Sequence, residues 1–265
     1  MISIIKKSAR YAFAIVTGLS TIASLCSYTL RDIEGVSFGK AIFILSIGYF
    51  LILAIIFLWY IWQRHRPYVT KINGKPVQIC LGDIFKEKGL KVIPFNERFD
   101  TQVDDIIIAH RTLNGMMIDN HVSDIEDLKK RILDAKNDKS NLKISKTGVY
   151  PLGRIIPYND FLMLAFTHFD SENKAYVNIS EYEQVLLRMW AEIRRVYAGR
   201  EVVLPLLGSG ITNIDGLPYK DCTELLKCIL CTFKRSKFEP IEGIRIVLTK
   251  DGIRQIDMNK IKEIF

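Results

Sequence analysis

The chain has 265 residues, a formal net charge of +8 and a mean hydropathy of +0.13. Nearly all of the apolar excess lies in the first 62 residues, and the roughly 200 residues that remain suffice for one α/β domain with its own core. Lysine and arginine are spread along the chain with no basic run interleaved with aromatics, so the positive charge argues for no nucleic-acid partner. Of the five cysteines, Cys26 lies in an apolar span. Cys228-x-x-Cys231 has the spacing of half a zinc site, but no second pair stands at ligand spacing. That pair also falls inside a helical pattern at Leu225, Leu226, Ile229, Leu230 and Phe233. Free thiols in a reducing compartment are the expectation, and no metal.

Tyr11 to Leu30 and Ala41 to Trp62 are long apolar spans. At ~1.5 Å per residue each reaches the roughly 30 Å of a bilayer core. Trp59, Tyr60 and Trp62 close the second span, followed by Arg64, His65 and Arg66, as an interfacial belt with cytoplasmic cations would be. Lys6, Lys7 and Arg10 precede the first, and the short connector Arg31 to Lys40 is balanced by Asp32 and Glu34. The positive-inside rule places both termini in the cytoplasm of a multi-pass membrane protein. Residues 1–66 are thus expected to form a transmembrane hairpin and residues 67–265 a cytosolic domain. Thr17, Ser20, Thr21, Ser24 and Ser27 share one helix face. They serve either close packing of the two helices or a seam between assembled chains.

Beyond the spans, Val69–Ile72 and Val77–Cys80 flank Asn73-Gly74, a hairpin signal. Leu90 to Phe95 is a further strand, followed by apolar Ile106 to Ile108 and a loop at Thr112 to Gly115. Ser123 and Glu126 form a capping box before a helix bearing Ile125, Leu128, Ile132 and Leu133. Val149–Tyr158 and Phe161–Thr167 read as an antiparallel pair around Asn159-Asp160. Ser180 and Glu183 form a second box, before a helix from Glu181 to Ala198. Its stripe of Tyr182, Val185, Leu186, Met189, Trp190, Ile193 and Val196 reads as core. A helix from Asp221 to Arg235, a strand from Gly243 to Leu248 and a terminal helix from Asp257 complete a mixed-sheet α/β pattern.

Between the last two long helices lies Val202 to Leu207, an apolar run of the kind buried on both faces in a parallel sheet. It ends in Gly208-Ser209-Gly210. Glycine loops at strand carboxyl ends offer successive N–H groups to phosphates, although the same residues also make plain tight turns.

Three motifs in order resemble a macro domain, the ADP-ribose-binding three-layer α/β/α fold. They are Gly82-Asp83-Ile84 after an early strand, Lys91 to Asn96 ending in asparagine, and Leu206 to Ile211 with its glycine loop. The resemblance implies that Asp83 reads the adenine amino group with Ile84 donating from its backbone. It implies that Leu207, Gly208, Ser209, Gly210, Ile211 and Thr212 hold the diphosphate, and that Asn96, Leu113, Asn114 and Gly115 meet the distal ribose. From the residues alone, Asp83 also fits an N-cap and Asn96 a strand-end turn residue. Hydrolytic macro domains carry Asn-Ala-Ala-Asn and a glycine-rich first loop. Here Glu97-Arg98-Phe99-Asp100 and Leu113-Asn114-Gly115-Met116 stand instead, which implies a binder of modified ADP-ribose with no catalytic residue and no other cofactor. His110 and His121 are the histidines an enzymatic reading would name, and each also fits a surface or packing role.

A two-span anchor before such a domain is similar to the membrane-type macro effectors of bacterial Thoeris anti-phage defence. That resemblance implies a TIR-domain partner that makes the ligand from NAD, a homo-oligomer, and membrane disruption once the ligand binds. The alternatives are a membrane-tethered ADP-ribosyl hydrolase and a passive ADP-ribose-binding anchor.

Overall fold

The computed structural model describes residues 10–11, 13–18, 21, 38–137, 140–142, 145, 148–216 and 221–265. Two compact units emerge, Met1–Arg66 and Pro67–Phe265.

In the first unit, the described residues of the first apolar span are helical. Thr17 Oγ1 donates to the Phe13 carbonyl at 2.7 Å and Thr21 Oγ1 to the Thr17 carbonyl at 2.9 Å, so two hydroxyls of the polar stripe are satisfied within their own helix. Ser20, Ser24, Ser27 and most of the connector lie outside the described residues. Helix α1 (Phe38–His65) has 28 residues, longer at both ends than the expected span, and stops before Pro67, whose ring and missing N–H end a helix. Among the described residues no helix is long and apolar enough to cross a membrane. Several side chains of α1, including those at 41, 42, 44 and 45, are not among those described. The two membrane spans therefore rest on the sequence.

The second unit begins with β1 (Tyr68–Ile72) and β2 (Lys75–Leu81), joined by Asn73 at φ 53 and Gly74 at φ 73, the doubly left-handed turn that Asn-Gly favours. Asn73 Nδ2 also donates to the Phe233 and Lys234 carbonyls at 3.3 and 3.2 Å, satisfying the end of a helix described below. Then follow β3 (Leu90–Asn96), α2 (Leu113–His121), α3 (Ile125–Asp134), β4 (Ile155–Tyr158), β5 (Phe161–Phe169) and β6 (Ala175–Asn178). The chain ends with α4 (Ile179–Val196), β7 (Val202–Pro205), β8 (Asn213–Asp215), α5 (Cys222–Ser236), β9 (Ile244–Leu248), α6 (Lys250–Gln255) and α7 (Met258–Ile264).

The strands form one sheet in the order β1-β2-β9-β7-β3-β5-β6-β8, with β4 paired to β5. The central run β2-β9-β7-β3-β5 is parallel; β1 is antiparallel to β2, and β4 and β6 are antiparallel to β5, while β8 pairs parallel with β6. β7 is buried along its whole length, as its unbroken apolar sequence requires of a strand covered on both faces. α2 packs on β3, and α4 on β4, β5, β6 and α5. The expected core stripe of α4 is buried from Tyr182 to Ile193, with Val196 only partly so.

Several local expectations are corrected. The residues expected as a loop from Thr112 are the N-cap and first turn of α2, because Thr112 Oγ1 accepts from Gly115 N at 3.2 Å. Asp124, not Ser123, caps α3 by accepting from Glu126 N and Asp127 N, a carboxylate being the better acceptor at a helix N-terminus. Asn178, not Ser180, caps α4, and α4 begins two residues before Glu181. Of the apolar positions on α3, Leu133 is 57 % exposed. The stretch from Val149 becomes strand only at Ile155.

Candidate functional site

The carboxyl ends of β2, β3, β5, β7 and β9 open onto one cavity of about 590 Å³, within the range of small-molecule sites and at the position where open α/β sheets bind ligands. Each strand delivers its own wall: Gly82 to Phe85 after β2, Asn96 at the end of β3, Phe166, Thr167 and Phe169 on β5, Leu206 to Thr212 after β7, and Thr249 after β9. The segment from Ile107 to Met116, at the start of α2, closes the remaining side.

Asp83 stands on the cavity edge. Its Oδ1 accepts from Phe85 N at 3.1 Å, capping the 3-10 turn Ile84–Lys86, and Oδ2 lies 4.0 Å from Lys86 Nζ. The cap and the adenine reading are compatible, because a carboxylate has acceptor capacity on both oxygens. Ile84 is buried beneath it.

Asn96 lines the cavity, yet its side chain is committed to the chain that follows. Oδ1 accepts from Arg98 N and Asp100 N, both at 3.1 Å, and Nδ2 donates to Asp100 Oδ2 at 2.7 Å. Its first role is to turn the chain off β3.

Leu113 and Asn114 line the cavity at the N-terminus of α2, where helix amides lack intrahelical acceptors. Gly115 does not line it. An added Cβ there would stand 2.4 Å from the Ala109 carbonyl oxygen, so this glycine serves a close backbone approach behind the wall, not the ligand.

The glycine loop is built in two layers. Ser209 donates both its amide, at 3.2 Å, and its hydroxyl, at 2.6 Å, to the Leu206 carbonyl, so its N–H holds the turn instead of facing a phosphate. Gly208 has φ +83, and a Cβ on it would meet Ile214 Cδ1 at 3.0 Å and Tyr182 Cε2 at 3.4 Å. Gly210 has open space where a Cβ would go. Ile211 is 62 % exposed on the rim. Beneath the loop, Tyr182 of α4 donates its hydroxyl to the Leu207 carbonyl at 2.9 Å. Burial pushes that phenol well above its ordinary value, so it is always the protonated donor.

Two lining features went unnoticed in the sequence. Arg111, exposed beside the α2 cap, is among the described residues the cation that lines the cavity, and it has no carboxylate partner among them. A lone arginine in an irregular segment carries no spacing signal. Phe166, Phe169, Asn173 and Ala175 bring β5 and β6 to the far wall, and β6 is too short to show periodicity. Among the described residues the other titratable lining residue is Asp83. His110 lies instead against Asp119, with Nδ1 2.7 Å from Oδ2, and His121 stacks on Phe85 with centroids 4.8 Å apart.

A parallel-centred α/β sheet with a glycine loop, an aspartate and a helix N-terminus around one cavity is the arrangement of a macrodomain. In agreement, a mutant of the Oceanobacillus iheyensis macrodomain with ADPR superposes with a TM-score of 0.50 at 15 % identity, covering 75 % of this chain and 98 % of that one. The sequence is more specific. Residues 77–249 match the family model of the macro domain of Thoeris protein ThsA. The chain is 42 % identical over 205 residues to the Thoeris protein ThsA of Bacillus amyloliquefaciens (strain Y2), covering 72 % of this chain and 68 % of that protein. It belongs to the ThsA macro-domain family.

Proposed function

We propose that this chain is an anti-phage defence effector whose cavity binds ADP-ribose or a modified ADP-ribose. A TIR-domain partner makes that ligand from NAD. The observation that carries the reading is the placement of Asp83, the Gly208–Thr212 loop and the α2 N-terminus around one cavity, in a chain of the ThsA macro-domain family. Adenine lies toward Asp83 and Ile84, the diphosphate against the loop amides, and the distal ribose with its modification beside Asn96, Leu113 and Asn114.

A binding role suits the lining. Among the described residues its one carboxylate, Asp83, is held as a cap, and the two histidines considered as bases are engaged with Asp119 and Phe85. A hydrolase would need a base within reach of the reacting group. The effector acts at the bacterial inner membrane through the hairpin of residues 1–66, with the macro domain in the cytoplasm. Ligand binding shifts a homo-oligomer between two packings of those helices through the junction Gln63–Tyr68. The ligand drives this only by the difference in its affinity for the two states.

The test is calorimetric titration of the full chain with ADP-ribose and with the products of a TIR-domain enzyme acting on NAD, alongside dye release from vesicles that carry the chain. Saturable binding without turnover, with leakage that requires ligand, is expected. Release of ADP-ribose from a modified substrate would make the protein an enzyme, and binding without leakage would make it a passive anchor.

A further inference from the structure

The glycine loop is aimed from beneath by a residue that never touches the cavity. Tyr182 donates to the Leu207 carbonyl at 2.9 Å and packs edge-on against Phe166 with centroids 5.9 Å apart. Its ring edge also lies 3.4 Å from where a Cβ on Gly208 would stand. In a planar trans peptide the N–H of one residue points opposite to the preceding C=O. Holding the Leu207 carbonyl toward the core therefore turns the Gly208 N–H the other way, toward the cavity that Leu207 and Gly208 both line. No acceptor for that amide is found among the described residues. A Cβ on Gly208 would press on Ile214 Cδ1 at 3.0 Å and touch the Tyr182 ring at 3.4 Å, so the close seating of ring and glycine is part of the same device.

We infer that Tyr182 is a positioning residue for oxyanion recognition, fixing the Leu207–Gly208 peptide so that its N–H is aimed at a ligand phosphate before the ligand arrives. The inference rests on the reading of the cavity as an ADP-ribose site. Its energetic sense is preorganisation: a loop already held in the binding conformation does not bear the cost of ordering when the ligand enters.

The experiment compares Tyr182→Phe with Thr232→Val in the full chain. Thr232 of α5 accepts a buried hydrogen bond at 3.1 Å from Nε1 of Trp190, which shares helix α4 with Tyr182, and it does not line the cavity. Tyr182→Phe loses the one hydrogen bond that aims the loop, whereas Thr232→Val loses the bond from Trp190 and those its hydroxyl donates to the Cys228 and Ile229 carbonyls, none of which reaches the loop. Tyr182→Phe is expected to weaken ADP-ribose binding about tenfold, and to lower the ratio of ADP-ribose to adenosine affinity, since adenosine has no phosphate. Thr232→Val is expected to bind as wild type at a loss of Tm at least as large. Equal affinities for wild type and Tyr182→Phe, or equal losses in the two variants, would overturn the role of Tyr182 while leaving the ligand assignment in place. A wild-type chain that binds no ADP-ribose would overturn both.

Discussion

Asn96 and Asp100 form a closed turn at the end of β3, with Nδ2 of the first donating to Oδ2 of the second at 2.7 Å and the Asp100 amide returning to Asn96 Oδ1 at 3.1 Å. The residue expected to read the distal ribose is thus a structural element of the cavity wall. Asn96→Ala is expected to cost about 1–3 kcal/mol, because it strands the Arg98 and Asp100 amides. Asn96→Asp sets two carboxylates together, and its deficit should shrink as pH falls toward the ordinary aspartate value of about 3.9. Urea denaturation across pH measures both; an Asn96→Ala chain of full stability and weakened binding would return the residue to a purely ligand role.

The glycines of the two walls are expected to respond in opposite ways. Gly115→Ala drives a Cβ against the Ala109 carbonyl oxygen at 2.4 Å, an overpacking expected to cost about 1–3 kcal/mol. Gly210→Ala meets nothing within 4 Å and should melt as wild type. Its methyl group nevertheless occupies the surface a phosphate must approach, and ADP-ribose affinity should fall about tenfold. Thermal melts beside titrations separate the two effects.

Arg111 is expected to contribute charge to ligand binding and little to stability. Arg111→Ala should leave Tm unchanged, weaken ADP-ribose binding, and flatten the dependence of affinity on salt, since exposed charges are screened within about 10 Å at 0.1 M. Titrations at two salt concentrations check this. An unaltered salt dependence would assign the anion wholly to backbone amides.

His110 gives helix α2 a pH-dependent tie. The hydrogen bond to Asp119 raises its pKa from the ordinary 6.5. A group raised on folding contributes stability fully below its unfolded value and loses that contribution as pH rises through the folded one. The difference in urea midpoint between wild type and His110→Gln should therefore be largest below pH 6.5 and vanish in alkaline solution. The site is exposed, so the difference is small, and a constant difference across pH would show that the ring acts by packing.

What was legible in the sequence was whatever depended on chain neighbours. The Asn73-Gly74 hairpin, the buried stripe of α4 and the β7 run announce themselves because turn chemistry and the 3.6- and 2-residue periods are local properties. The strands β6 and β8, of four and three residues, are too short for any period. The caps slipped by one or two residues because Asp124 and Asn178 compete with nearby serines for the same orphan amides.

The sequence by itself determined the α/β character, the glycine loop after β7, the aspartate after β2 and their order along the chain. Tertiary structure alone decided which of the candidates share a cavity. It brought in Arg111, Phe166 and Asn173, turned Gly115 away, engaged Asn96 in its own turn, and set Tyr182, a core residue by its spacing, beneath the loop. The reason is that a site at the carboxyl ends of parallel strands gathers residues far apart in the chain, and whether a side chain faces the ligand or its own backbone depends on hydrogen bonds that exist only once the strands are side by side.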